Sequence, residues 1–104
     1  MENMEQLQVV VSEIQSTRQQ MATVNAQILE LEATSQAVSN QPEDLALHQQ
    51  LGGVLIEVSD RKALLEVLSK DVETLKSHME RLQNREIELV SSYEELKKVL
   101  EGSN

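Results

Sequence analysis

The residues with side chains suited to chemistry are two histidines and many carboxylates. His48 and His78 could each ligate a metal ion, but neither has a second ligand at helical spacing. Glu94 and Glu95 typify the carboxylates, whose immediate neighbours along a helix do not share a face. The chain has no cysteine and no arrangement of nucleophile, base and oxyanion donors. We therefore expect no catalytic residue, no metal site and no cofactor, and so no enzyme.

The composition is that of an acidic chain with little material for a globular core. Its 104 residues suit one domain, but they include no phenylalanine or tryptophan and a single tyrosine, Tyr93. The net charge of −9 argues against binding to nucleic acid or to anionic membranes. No apolar run approaches the roughly 20 residues that cross a bilayer, and the acidic N-terminus does not resemble a signal peptide. We expect a cytoplasmic protein.

Apolar residues recur in heptads through both halves of the chain, which predicts two long helices. We call these residues the seam. In the first half, Thr17 and Ser35 interrupt a seam that consists of Leu7, Val10, Ile14, Met21, Val24, Ile28, Leu31 and Val38. In the second half, Glu86 interrupts a seam that consists of Leu65, Leu68, Val72, Leu75, Met79, Leu82, Leu89, Tyr93, Leu96 and Leu100.

The helix boundaries follow from breakers and caps. Pro42 disfavours helical geometry before it, so helix 1 should span 1–40. Ser59 or Asp60 can cap helix 2, which should span 59–101 and stop at Gly102. We predict a mainly α fold, in which residues 1–104 form a single domain with a long antiparallel two-helix coiled coil and a β-hairpin between the helices.

The connecting segment, residues 45–58, changes from a helical to an alternating period. Gly52 and Gly53 can supply the positive φ angles of a tight turn that pairs Leu51 with Val54. This pairing places on one face Leu45, Leu47, Leu51, Val54, Ile56 and Val58. An isolated hairpin is marginal in water and has two unpaired edges, so other subunits should complete it. The predicted oligomerisation residues are Leu45, Leu47, Leu51, Gly52, Gly53, Val54, Leu55, Ile56 and Val58.

The sequence LGGVLIEV at 51–58, followed by the charged helix KALLEVL at 62–68, resembles the hairpin and second helix of prefoldin β-class subunits. It looks closest to the archaeal β and eukaryotic subunit 2 sequences. The resemblance extends over nearly the whole chain in layout, although only residues 47–68 are specific. The family usually has an aromatic residue at the position of His48 and a basic one at Gln49, so we expect the first-strand contacts to differ here.

The resemblance implies a tentacle-like subunit of a hexamer with two α-class and four β-class subunits, whose hairpins form the base. Similar proteins hold unfolded chains at the distal coiled-coil ends without ATP and pass them to a group II chaperonin. The chain has no glycine-rich nucleotide motif, in keeping with that expectation. The alternative interpretation is an antiparallel coiled-coil scaffold or tether without chaperone activity.

Apolar residues outside the seam accumulate near the two chain ends. Together with the seam residues beside them, they form the predicted client-binding set, which is Met1, Met4, Leu7, Val9, Val10, Val11, Ile87, Val90, Leu96, Val99 and Leu100. Flexible methionine and mid-sized aliphatic side chains suit contact with unfolded chains. The run from Val9 to Val11 has another interpretation, in which a neighbouring helix pair buries it.

The seam interruptions also predict a level of altered packing. In an antiparallel register whose paired residue numbers add up to about 103, Thr17 lies opposite Glu86. Arg18 and Arg85 flank this level and could neutralise Glu86. We expect a soft point there, beyond which the helices can separate; alternatively, the polar residues only fix the register.

Overall fold

The computed structural model describes residues 2–102, which form two long helices with two short strands between them. The helix α1 spans Glu2–Asn40, the strands β1 and β2 span His48–Leu51 and Val54–Glu57, and the helix α2 spans Arg61–Gly102. The helices contain 39 and 42 residues, so each is about 60 Å long at the usual rise. The predicted mainly α fold with a hairpin between its helices is confirmed.

The end of α1 is held by the beginning of α2. The Gln41 amide donates to the carbonyl of Ala37 at 3.1 Å and closes the last turn before Pro42. The Arg61 guanidinium then donates to the carbonyl of Gln41 and, at 3.2 Å, to that of Pro42. Gln41 and Pro42 follow α1 directly, so Arg61 ties the segment after α1 to the first residue of α2.

The beginning of α2 is capped by Asp60 rather than Ser59. The Asp60 carboxylate accepts a hydrogen bond from the Ala63 amide at 3.0 Å, and the Asp60 carbonyl accepts one from the Leu64 amide at 3.1 Å. Such a cap contributes about 1 kcal/mol. At the other end, α2 includes Gly102, so the helix does not end at residue 101 as predicted.

The hairpin has the predicted pairing and a different turn. Leu51 pairs with Val54, Gln49 pairs with Ile56, and the Val58 amide donates to the Leu47 carbonyl at 2.8 Å. Gly52 has a φ of 61°, whereas Gly53 lies outside the positive-φ region. A single positive φ at the first turn position is the pattern of a type II′ turn, so the expectation of two positive φ angles is wrong.

Alternation along the strands places Leu47, Leu51, Val54, Ile56 and Val58 on one face, as expected, and Leu55 on the other. The predicted sixth member of the face, Leu45, is not in a strand. Its amide donates to the Pro42 carbonyl at 3.1 Å, within a bend that precedes β1.

The chain divides into two compact units, each with a segment of both helices. Unit 1 comprises the described part of Met1–Asn25 with Ser77–Asn104, and unit 2 comprises Ala26–Lys76. In unit 1, ion pairs join Glu13 to Arg85 and Arg18 to Glu86, and in unit 2 one joins Glu32 to Lys76. Within each unit the two helix segments therefore lie side by side.

The core of both units is the predicted seam. Every seam position is buried or half-buried, including the three polar interruptions. The buried aliphatic residues are Ile14, Val24, Leu82 and Leu89 in unit 1, and Ile28, Val38 and Leu68 in unit 2. Even these keep 5–9% of their surface exposed, as expected for a layer one side chain thick.

Replacement of the two turn glycines by alanine should destabilise the hairpin at Gly52 and have little effect at Gly53. Gly52→Ala places a Cβ at positive φ, which costs about 1–2 kcal/mol, whereas Gly53→Ala meets no atom within 4 Å and keeps an ordinary φ. We expect amide exchange at Val58 to accelerate about tenfold in Gly52→Ala and to change little in Gly53→Ala. Equal exchange in the two variants would contradict the type II′ turn.

Candidate functional site

An open apolar groove lies between α1 and α2 in unit 1. Its volume is about 650 Å³, and we call it the terminal groove; its lining consists of Glu2, Glu5, Gln6, Val9, Val10, Ser92, Glu95, Leu96 and Val99. Val10 and Leu96 are half-buried seam residues at its floor. Val9 and Val99 stand beside them and are 56% and 52% exposed. The groove thus offers aliphatic surface that the helix pair does not cover.

The other predicted client-binding residues do not line this groove. Val11 lies about 200° around α1 from Val9, and Val90 lies about half a turn around α2 from Val99. Met4 and Ile87 are 43% and 66% exposed but are likewise absent from the groove lining.

The predicted set therefore divides between two faces rather than forming one surface, with Leu7 and Leu100 half-buried in the seam. Met1 lies outside the described residues.

An ion pair lies where the polar residues Thr17 and Glu86 interrupt the seam. Thr17 is buried with 7% exposure, and the next residue, Arg18, donates from Nε to Glu86 Oε2 at 2.7 Å. The Glu86 side chain is only 26% exposed, so this cation compensates a partly desolvated carboxylate. Arg85 instead donates to Glu13 at 3.0 Å. Of the two arginines expected to flank Glu86, only Arg18 pairs with it.

In unit 2 the hairpin presents apolar side chains on both faces. All eight strand residues are exposed. Leu51, Val54 and Ile56 share one face and are 48–59% exposed, while Leu55 on the other face is 67% exposed. Of the flanking residues, Leu45 is 51% exposed, and Leu47 and Val58 are half-buried.

The exposed apolar surface continues from the hairpin onto the adjoining helix. Val67 on α2 is 55% exposed, and together with Leu64 and Val58 it lines a hollow of about 390 Å³ beside the hairpin. Leu64 and Val67 are apolar residues outside the seam and lie three positions apart on one helix, so the sequence itself predicts apolar width beside the hairpin.

The two histidines lie apart from any cluster of metal ligands. His48 is on β1 opposite Glu57, and His78 is half-buried on α2. Within residues 2–102, no group of three or more His, Cys, Asp or Glu side chains could hold a metal ion. In the part of the chain that the structure describes, neither α1 nor α2 contains an apolar stretch long enough to cross a membrane.

The effect of Thr17 and Glu86 on seam packing can be tested by substitution. Replacing Thr17 with valine and Glu86 with leucine should complete the apolar seam and stabilise unit 1 by about 1–2 kcal/mol. We expect slower amide exchange in residues 10–14 and 89–93. Arg18→Gln should have the opposite effect, because it leaves Glu86 partly buried without its cation. Unchanged exchange in both variants would contradict a role for this level in the mobility of the helix ends.

Comparison with known proteins bears on this arrangement. No curated protein matches the chain. The structure of the prefoldin beta subunit from Thermococcus strain KS-1 superimposes with a TM-score of 0.88 at 19% identity, covering 97% of this chain and 88% of that one. The prefoldin beta2 subunit from the same strain gives a TM-score of 0.73 at 21% identity, covering 94% and 99%. At this identity the likeness shows the fold.

The family assignment comes from the sequence itself. The family model described as prefoldin subunit matches residues 1–103. This match supports a role as a chaperone subunit in a hetero-oligomeric complex, and by it the chain belongs to the prefoldin subunit family.

Proposed function

We propose that this chain is an ATP-independent holding subunit that assembles through its hairpin and binds unfolded proteins near its chain ends. The observation that carries the proposal is the distribution of exposed large apolar residues. They occur at Met4 and Val9, from Leu29 to Val67, and again at Ile87 and Val99. Within the described chain, the stretches 10–28 and 68–86 contain none.

The hairpin is the proposed assembly element. A two-stranded sheet with four residues in each strand is marginal alone, and its outer edges carry unpaired amides and carbonyls. Burying the remaining exposed surface of Ile56 or Leu55 against another subunit contributes about 1–2 kcal/mol. We propose that α-class and other β-class subunits provide this cover in a hexamer of two α and four β subunits.

The proposed client-binding residues are the apolar groups near the chain ends in unit 1. In the terminal groove, Val9, Val10, Leu96 and Val99 offer a surface without directional hydrogen-bond requirements. Such a surface accepts many sequences, which a holding chaperone needs. Met1, Met4, Leu7, Val11, Ile87, Val90 and Leu100 complete the proposed set. Clients held there would pass to a group II chaperonin in the cytoplasm.

Client binding can be tested with two substitutions in the terminal groove. Val9→Ser with Val99→Ser should reduce suppression of aggregation of chemically unfolded citrate synthase by the assembled complex, because exposed aliphatic area is lost. Light scattering gives the measurement. Ala22→Ser with Ala33→Ser is the matched control, since both alanines are exposed on α1 away from the groove.

The scaffold interpretation predicts a different outcome. If the chain is a scaffold without chaperone activity, the unmodified complex should fail to suppress the aggregation, and the Val9 and Val99 variant should not differ from it. Absence of suppression by the unmodified complex would contradict the chaperone proposal. Full suppression by the Val9 and Val99 variant, with its helix content unchanged by circular dichroism, would contradict client binding in the terminal groove.

Assembly can be tested by native mass spectrometry of the chain with an α-class subunit. Ile56→Lys should prevent or strongly weaken the complex, since it places a charge on the apolar hairpin face. Gln83→Lys adds the same charge at an exposed position of α2 and should leave assembly intact. Equal assembly of the two variants would exclude that hairpin face from the interface. The chain measured alone distinguishes homo-oligomers from an obligate need for the α-class partner.

A further inference from the structure

The terminal groove combines an apolar floor with charges of one sign. Glu2 and Glu5 on α1 and Glu95 on α2 are among its lining residues, and no lysine or arginine is. An acidic border around aliphatic surface is complementary to a particular kind of unfolded segment. This inference rests on the proposed function and concerns which clients the groove prefers.

The groove carboxylates differ from those that lie between the helices elsewhere. Glu13 and Glu86 in unit 1 pair with arginines, and Glu32 in unit 2 pairs with Lys76. Among the described residues, no ion pair joins Glu2, Glu5 or Glu95 to a cation. The three groove carboxylates therefore take part in none of the ion pairs between described residues, unlike Glu13, Glu32 and Glu86.

Helix stability accounts for only part of this pattern. Glu2 and Glu5 lie in the first turn of α1, where negative charge complements the helix dipole. Glu95 lies far from the first turn of α2, so the dipole gives no reason for its charge. It belongs to the other helix, yet it lines the same groove.

We propose that the terminal groove selects unfolded segments in which aliphatic residues are flanked by lysine or arginine. Val9 and Val99 contact the aliphatic side chains, and the three carboxylates attract the flanking cations. The groove volume of about 650 Å³ is within the range of sites that hold small ligands, so it accommodates a few residues of an extended chain. A second copy of the groove is a poor occupant, because its own carboxylates would repel these.

The test uses the assembled complex and three fluorescently labelled peptides with the same aliphatic centre. Their flanks are lysine, glutamine or glutamate, and binding is followed by fluorescence anisotropy. We expect the lysine-flanked peptide to bind about tenfold more tightly than the glutamate-flanked one at low salt, as for several partly screened charge pairs. The difference should shrink as salt is added.

Variants that remove carboxylates distinguish the effect of the groove charges from the effect of the net charge of the molecule. Glu2→Gln, Glu5→Gln and Glu95→Gln together should reduce the preference to about twofold or less. The matched control is Glu30→Gln, Glu73→Gln and Glu80→Gln, which changes the net charge equally at exposed positions outside the groove. The control should keep most of the preference.

Three outcomes would overturn the inference: equal binding of the three peptides, an equal loss of preference in both triple variants, or concentration-dependent pairing of complexes through their grooves. None of them coincides with failure of the proposed function. That failure appears as absence of aggregation suppression by the unmodified complex, or as unchanged suppression by the Val9→Ser and Val99→Ser variant. A groove that holds clients without charge preference would retain the function and refute only the inference.

Discussion

A seam one side chain thick holds α1 and α2 together in each unit. The amount of apolar surface that remains exposed on the helices depends on how little of it this seam covers. Its best-buried members, such as Leu89 and Val24, still expose 5–6% of their surface. A layer this thin has no room for apolar residues beside it. Val9, Val99 and Ile87 therefore remain more than half exposed, so the apolar surface available for binding results from the narrowness of the seam.

The segment between the helices is ordered by contacts at its ends rather than by a core. Arg61 binds the carbonyls that follow α1, and Asp60 caps α2, so neighbouring residues fix both helix ends. The hairpin between them is left with all its strand side chains exposed. A two-stranded sheet in this condition is marginal by itself and needs further apolar surface packed against it to be stable.

Sequence reasoning succeeded where a period or a breaker carried the information. The heptads located the seam, Pro42 located the end of α1, and the alternation around Gly52 located the Leu51 and Val54 pair. It failed where geometry lies outside a linear pattern. The contact between the Arg61 side chain and backbone carbonyls leaves no periodic signal in the sequence. Nor does the sequence show that Arg18, and not Arg85, pairs with Glu86. The division of the predicted client-binding set into two faces was accessible from the sequence, since a rotation of 100° per residue places Val9 and Val11 about 200° apart.

The few cations of the chain lie away from its exposed apolar groove. The chain has 9 basic and 18 acidic residues. Arg18, Lys76 and Arg85 form ion pairs between the helix segments of their units, and no basic residue lines the terminal groove. An uncovered aliphatic surface ordinarily promotes self-association. Carboxylates around it make two such grooves repel each other, while a cationic unfolded chain meets no such barrier. Under the inference drawn above, the same charges oppose self-association and favour cationic clients.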